Sequence, residues 1–318
     1  MKKGLRMSVN CPLCASGKVN WLTNKLRFSL EADVYRCGEC GLVFLDQSSF
    51  DFPDDFYESQ YHQTYLTHID PDMLEPEKHF NKMKKATAIW IDRVREQLDG
   101  TERLLDIGCS TGHLLDGVRK SAAQVHGQEL NRQEIDFCRK TLGLDVSDQP
   151  LAERFAADSV DVVTLIFVLE HIGEPLDFLK EIHRVLKPGG KLIIVVPNIM
   201  DPLLSFFDIP KFTEFYYCIE HLYYYSPATL RTLLGKAGFE GEPVGVQEYP
   251  ISNHLNWAYR QGPSETLSAR QVGPDVRLRA ENVDKAWEQF WNNVDGQYRD
   301  FLDEIGFSDR VWCIASKP

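Results

Sequence analysis

The residue types best suited to do chemistry fall at five places in this 318-residue chain. Two C-x-x-C pairs stand near the front, Cys11-Pro12-Leu13-Cys14 and Cys37-Gly38-Glu39-Cys40. An acid runs into a glycine turn at Asp106-Ile107-Gly108-Cys109-Ser110-Thr111-Gly112. A second acid, Glu129, follows 21 residues after Gly108. Two histidines each follow a glutamate, in Glu170-His171 and Glu220-His221. Thiols at this spacing suit a metal. A glycine turn lets backbone approach a ligand closely, because no Cβ intervenes. Histidine is the side chain that exchanges a proton near neutral pH.

Each C-x-x-C makes a tight turn that points two thiolates at one centre, and two turns supply the tetrahedral sulfur set that Zn²⁺ prefers. The pairs are 22 residues apart, and the other four cysteines, Cys109, Cys138, Cys218 and Cys313, are scattered. In a reducing compartment such pairs bind metal before they form disulfides. Residues 1–50 therefore read as a zinc ribbon, with Val34-Tyr35 and Leu42–Leu45 as strands beside the second turn. So small a segment draws much of its folding energy from the metal, and a closed four-sulfur site is structural. A redox dithiol is the alternative.

The remaining residues need strands and helices to place them. Arg103–Ile107 is apolar enough for a strand, and Leu114, Leu115 and Val118 begin a helix after the turn. The turn is not a dinucleotide G-x-G-x-x-G, because Ser110 stands at the middle glycine, nor a phosphate loop, because His113 follows Gly112. An ordinary strand-to-helix turn stays open at this point. Val125–Leu130 is a short strand ending at Glu129, and a carboxylate at this offset accepts ribose hydroxyls in dinucleotide enzymes. A helix over 132–142 and a strand at 144–146 follow, with Asp148 and Gln149 just beyond as polar candidates to contact a base. Ser159–Phe167 is nearly continuous apolar, as a strand buried on both faces should be. A helix from Pro175 to Leu186 and a strand over Lys191–Val196 complete the series.

Taken together, D-x-G-x-x-x-G at 106–112, the acid at 129, D-x-V-x-x-x-x-V-L-E-H-I at 161–172 and R-V-L-K-P-G-G-x-L at 184–192 resemble the class I S-adenosylmethionine (SAM)-dependent methyltransferases, over roughly residues 80–250. The resemblance implies an α/β, Rossmann-like sheet with helices on both faces and SAM as cofactor. It implies that the loop holds the methionine end of SAM, with Asp106 beneath its amino group and Glu129 on the ribose. The implied cofactor contacts are Asp106, Gly108, Cys109, Gly112, Glu129, Leu130, Asp148 and Phe167. Downstream, Tyr217-Cys218-Ile219-Glu220-His221 is similar to sugar C-methyltransferases that carry an N-terminal four-cysteine zinc domain and a Tyr-x-Glu-His segment. Glu220-His221 matches, while Cys218 takes the tyrosine's place and Tyr217 is one residue off. This second likeness implies His221 as general base with Glu220 orienting it, and His171 is the other candidate. The expected function is methyl transfer to a sugar or related small molecule. The alternatives are O-methylation of a phenol or quinone precursor, or a zinc-ribbon binding protein whose SAM domain does not turn over.

The expected organisation is a zinc ribbon over 1–50, a connector and helical lid over 51–100, a SAM-binding core over 101–248, a helical insertion over 249–310 and a final core strand over 311–318. Within it, 77–98 reads as one amphipathic helix, and from Ala280 an aromatic stripe repeats at helical spacing. A net charge of −12, with no Lys/Arg stripe in 1–50, argues against nucleic acid as a partner. The longest apolar runs, Val162–Leu169 and Leu192–Val196, are too short to span a bilayer. Lys2, Lys3 and Arg6 have no apolar stretch behind them, so no signal peptide is expected. The chain reads as a cytoplasmic enzyme with Zn²⁺ at Cys11, Cys14, Cys37 and Cys40 and a small-molecule partner. Subunit number leaves no trace in the sequence.

Overall fold

The computed structural model describes residues 9–50, 71–262 and 281–318. The connector expected over 51–70, and 263–280 of the expected insertion, lie outside the described residues. Twelve strands are described: β1 (Val19–Lys25), β2 (Glu31–Cys37), β3 (Val43–Leu45), β4 (Arg103–Ile107), β5 (Gln124–Gln128), β6 (Asp145–Ser147), β7 (Val160–Ile166), β8 (Leu186–Pro197), β9 (Tyr223–Tyr224), β10 (Glu240–Gly241), β11 (Val244–Val246) and β12 (Arg310–Ser316). They and their helices form two compact units, one built from 9–50, 196–233 and the described part of 243–312, the other from 71–195, 234–242 and 313–318.

In the second unit the strand order is β10-β12-β8-β7-β4-β5-β6. β4 pairs in parallel with both β5 and β7, and β5–β6 and β7–β8 are parallel as well. The chain leaves β4 outward through β5 and β6, then returns to β4's other side with β7 and β8. That reversal opens a crevice beyond the carboxyl ends of β4, β5 and β7, where open α/β sheets place their ligands. Covering helices explain the strand composition: in β7, Val160, Val162, Val163, Thr164 and Leu165 are all buried. This is the expected α/β Rossmann-like sheet.

One expected element divides. The amphipathic run over 77–98 is two helices, Pro76–Ala86 and Ala88–Arg95, separated at Thr87 (φ −96°, ψ 14°). The Thr87 hydroxyl donates back to the Met83 carbonyl at 2.8 Å, a local bond that competes with regular helix. The apolar period runs on through the break, because Phe80, Trp90, Ile91 and Val94 are all buried.

The first unit holds a four-stranded antiparallel sheet in the order β1-β2-β3-β9. Val34 faces Leu45 across β2–β3, and Val43 faces Tyr224 across β3–β9. β1 exposes Trp21 and Leu22, and β9 has two residues, so neither carries a periodic signal in sequence. Val34, Val43, Leu45, Phe212, Tyr216, Tyr224 and Trp257 belong to one buried cluster. The helix Glu281–Ile305 buries Leu302 and Asp295 but leaves Trp287, Phe290 and Phe301 exposed. Among the described residues no helix is long and apolar enough to cross a membrane.

Candidate functional site

Near the end of β4 stands Asp106, which is 3% exposed and accepts the Thr164 hydroxyl at 2.6 Å. Burial pushes its carboxyl up to about 7, partly offset by the Thr164 hydrogen bond and reinforced by the charge of Glu129. The turn then bends at Gly108, whose φ of +69° places any Cβ 2.6 Å from Val168 Cγ2. Gly112, at φ +75°, abuts Leu144 and Cys138 so closely that a Cβ would meet them at 2.8 and 2.9 Å. Between them Ser110 holds a left-handed conformation, φ +47°, of the kind that functional loops retain when their surroundings enforce it.

The enforcing group is Glu129, just after β5. Its Oε2 accepts the Ser110 N–H at 2.9 Å, and Oε1 accepts the N–H groups of Leu130 and Asn131 at 2.7 and 3.0 Å. Burial raises its pKa, as does the nearby Glu134. The two carboxylates, the turn and the loop after β7 wall a cavity of about 620 Å³. That volume suits a small molecule. Met73, Met83, Ile166, Phe167, Ile172 and Phe178 give it apolar walls. Phe167 also takes φ +58°, with its ring edge-on to Trp90 at 6.1 Å.

The structure brings Asp106, Gly108, Cys109, Glu129, Leu130, Phe167 and His171 together in this wall. Gly112 stands behind it as a packing position. Asp148 is not among the lining residues, and its carboxylate lies 3.9 Å from Arg132. Sequence reasoning missed His79, His113 and Glu134, all of which line the cavity. His79 Nδ1 lies 2.9 Å from Glu134 Oε1, and the Ser110 hydroxyl donates to that same oxygen at 3.2 Å. No local pattern signals a pair 55 positions apart; His113, directly after Gly112, could have been found from its place at the turn.

In the first unit, ligating atoms of Cys218, Glu220 and His221 lie within 4.8 Å of one another. Glu220 is 1% exposed. The buried Tyr224 hydroxyl fixes the turn, accepting the Cys218 N–H at 2.9 Å and donating to the Cys218 carbonyl at 3.1 Å. Burial and the Glu220 carboxylate hold the Cys218 thiol protonated, with a pKa well above the ordinary value.

The same unit gathers Cys11, Cys14, Cys37 and Cys40, all sulfurs within 4.8 Å of one another. Cys11 and Cys40 are 3.5 Å apart, as are Cys14 and Cys37. Tetrahedral Zn–S bonds of about 2.3 Å set sulfurs roughly 3.8 Å apart, so the donor set fits Zn²⁺. Backbone N–H groups of Glu39 and Cys40 point at the Cys37 sulfur from 3.4 and 3.5 Å. Burial opposes its ionisation, but these N–H groups together with the Cys14 and Cys40 thiols outweigh it and bring the thiol down to about 7.

A family model described as "Methyltransferase domain" matches residues 79–244. The chain is 30% identical over 133 residues to a ubiquinone biosynthesis O-methyltransferase of Idiomarina loihiensis, covering 39% of this chain and 55% of that enzyme. The chain thus spans little more than half the length of that relative. A ubiquinone biosynthesis O-methyltransferase of Ruegeria pomeroyi is 35% identical over 235 residues, covering 64% of this chain and 90% of that enzyme. Among solved structures, a SAM-dependent methyltransferase from Archaeoglobus fulgidus superposes with a TM-score of 0.49 and 19% identity, covering 76% of this chain and 97% of that one.

Proposed function

The chain belongs to the family of SAM-dependent methyltransferases, and on that premise we propose that it methylates a hydroxyl oxygen on a small phenolic or quinone-precursor ring. The relatives at 35% and 30% identity are named for O-methylation in ubiquinone biosynthesis, which favours this acceptor over the sugar first read from Glu220-His221. The observation that carries the reading is His171, an imidazole in the same cavity wall as Asp106 and Glu129. When bound, SAM supplies a methyl group on a sulfonium, open to in-line attack. Glu129 would hold the ribose hydroxyls and Asp106 the ammonium group. His171 would take the proton of the acceptor hydroxyl as the O–C bond forms, while the C–S bond breaks and the sulfur keeps its electron pair. The apolar walls would exclude water and stack against the ring.

A second reading places the base at His221, with Glu220 orienting it, and a sugar-type acceptor. What supports it is the gathering of Glu220, His221 and Cys218 in one turn. The experiment is S-adenosylhomocysteine release from SAM in the presence of catechols and, separately, of nucleotide sugars, with His171→Ala and His221→Ala run in parallel. We expect turnover with the catechol and loss of more than a hundredfold in His171→Ala, with S-adenosylhomocysteine affinity unchanged. Turnover with sugars alone, lost in His221→Ala, overturns the first reading in favour of the second. The four thiols would hold Zn²⁺ as a structural ion, since all four donor positions are taken by the chain.

A further inference from the structure

SAM ends in an amino acid, which brings an ammonium and a carboxylate into the cavity. The wall is rich in partners for the cation: Asp106, Glu129 and Glu134. For the anion it offers no lysine and no arginine among the described residues, so His79, His113 and His171 are the only side chains there able to carry positive charge. Two of these belong to one cluster. His79 is held by Glu134 at 2.9 Å, and His113 feels the charges of both. His113 Nδ1 is shut off from solvent and meets no hydrogen-bond partner among the described residues. With Nδ1 enclosed, the ring can meet a ligand in the cavity only through its other nitrogen, Nε2.

We propose that His113 binds the carboxylate of the cofactor's amino-acid end, with His79, fixed by Glu134, beside it. The proposal rests on SAM being the occupant of the cavity. Without ligand, burial first and the charge of His79 second hold the His113 imidazole down at about 4, so it is neutral at pH 7. A carboxylate against its nitrogen favours the protonated ring. Cofactor binding then draws in a proton, and this contribution to affinity grows as pH falls. Other groups face the same space: His79 from the helix Pro76–Ala86, Glu134 from the helix Arg132–Lys140, Asp106 from β4 and Glu129 after β5. Asp106 and Glu129 lose charge as pH falls, so a pH profile alone mixes their effects with that of His113.

A comparison of two ligands separates them. The full chain is titrated with S-adenosylhomocysteine and with its decarboxylated analogue, an aminopropyl thioether that keeps the adenosine and the ammonium. The protein should prefer the carboxylate-bearing ligand by about 10- to 100-fold, the scale of a hydrogen bond to a charged group. His113→Phe should remove that preference and leave affinity for the analogue unchanged, and His113→Asn, which keeps an N–H donor, should restore part of it. His113→Ala gives the same reading if the phenyl ring prevents folding. Equal losses for both ligands, or a preference that survives removal of the imidazole, overturn the proposal. Failure of the unaltered protein to bind either ligand overturns instead the SAM reading beneath it.

Discussion

The carboxylate of Glu129, just after β5, accepts the N–H of Ser110, in the turn after β4, across 2.9 Å. One side chain therefore sets the shape of the turn and keeps about one acceptor site over for the cavity that both line. Three backbone N–H groups converge on the two oxygens of Glu129. That leaves no orientation in which an amide NH2 would avoid facing a donor. Glu129→Gln should weaken S-adenosylhomocysteine binding about 10- to 100-fold, the worth of one or two charge-assisted bonds. Calorimetric titration measures it, and an affinity within threefold of the unaltered protein would remove Glu129 from the site.

Gly108 is constrained twice, by its φ of +69° and by Val168 Cγ2 at 2.6 Å from a would-be Cβ. Gly108→Ala should cost about 1–3 kcal/mol of stability, from overpacking plus the left-handed backbone. Adding Val168→Ala opens the space but not the dihedral, so the double variant should recover only part of the loss. Urea unfolding of both variants checks this. Full recovery would show that the clash alone matters.

Much of this cavity can be seen in the sequence, because the turn at 106–112 and Glu129 follow from local chemistry: an acid after an apolar run, glycines at fixed offsets, a strand ending in a carboxylate. The sheet was legible for the same reason, since β7 is a nearly continuous apolar run, broken only by Asp161 and Thr164. The break at Thr87 was not, because a hydroxyl bonding to the carbonyl of Met83 leaves the apolar period intact. β9 was not legible either. Tyr223 and Tyr224 become a strand by pairing with Phe44 and Val43, some 180 positions earlier. The His79–Glu134 pair is hidden in the same way, by separation along the chain.

The four-thiol cluster makes a compositional prediction. Purified protein should carry one Zn²⁺ per chain by elemental analysis, and Cys14→Ser or Cys40→Ser should lose it. Because β2 and β3 flank the second thiol pair, chelation should lower the thermal midpoint of the unaltered protein. The same chelator should leave the midpoint of Cys14→Ser where it was. A protein that binds no zinc yet unfolds at the same temperature with and without chelator would return these cysteines to the redox reading.

Asp106 gives the pH dependence its sign. Its carboxyl titrates at about 7 in the folded chain against 3.8 for an ordinary, solvated aspartate, the rise coming first from burial. The folded protein therefore binds this proton more tightly than the unfolded one, and the associated stability is complete below about pH 3.8 and lost as pH climbs through 7. At about 1.4 kcal/mol per unit, the full span is on the order of 4 kcal/mol. Asp106→Asn carries no proton to lose and keeps an oxygen for the Thr164 hydroxyl. Asp201 and Asp309, which are also buried with raised pKa values of about 7 and about 6, titrate alike in both proteins and cancel in the difference. Stability of Asp106→Asn relative to the unaltered protein should thus rise steadily between pH 4 and 8 in urea titrations without ligand. Its affinity for S-adenosylhomocysteine relative to the unaltered protein should fall over the same range, because only the unaltered protein gains an ionised carboxylate there to meet the ammonium. Stability curves that run parallel across this interval would mean that Asp106 is ionised throughout, and that burial does not hold its proton in place.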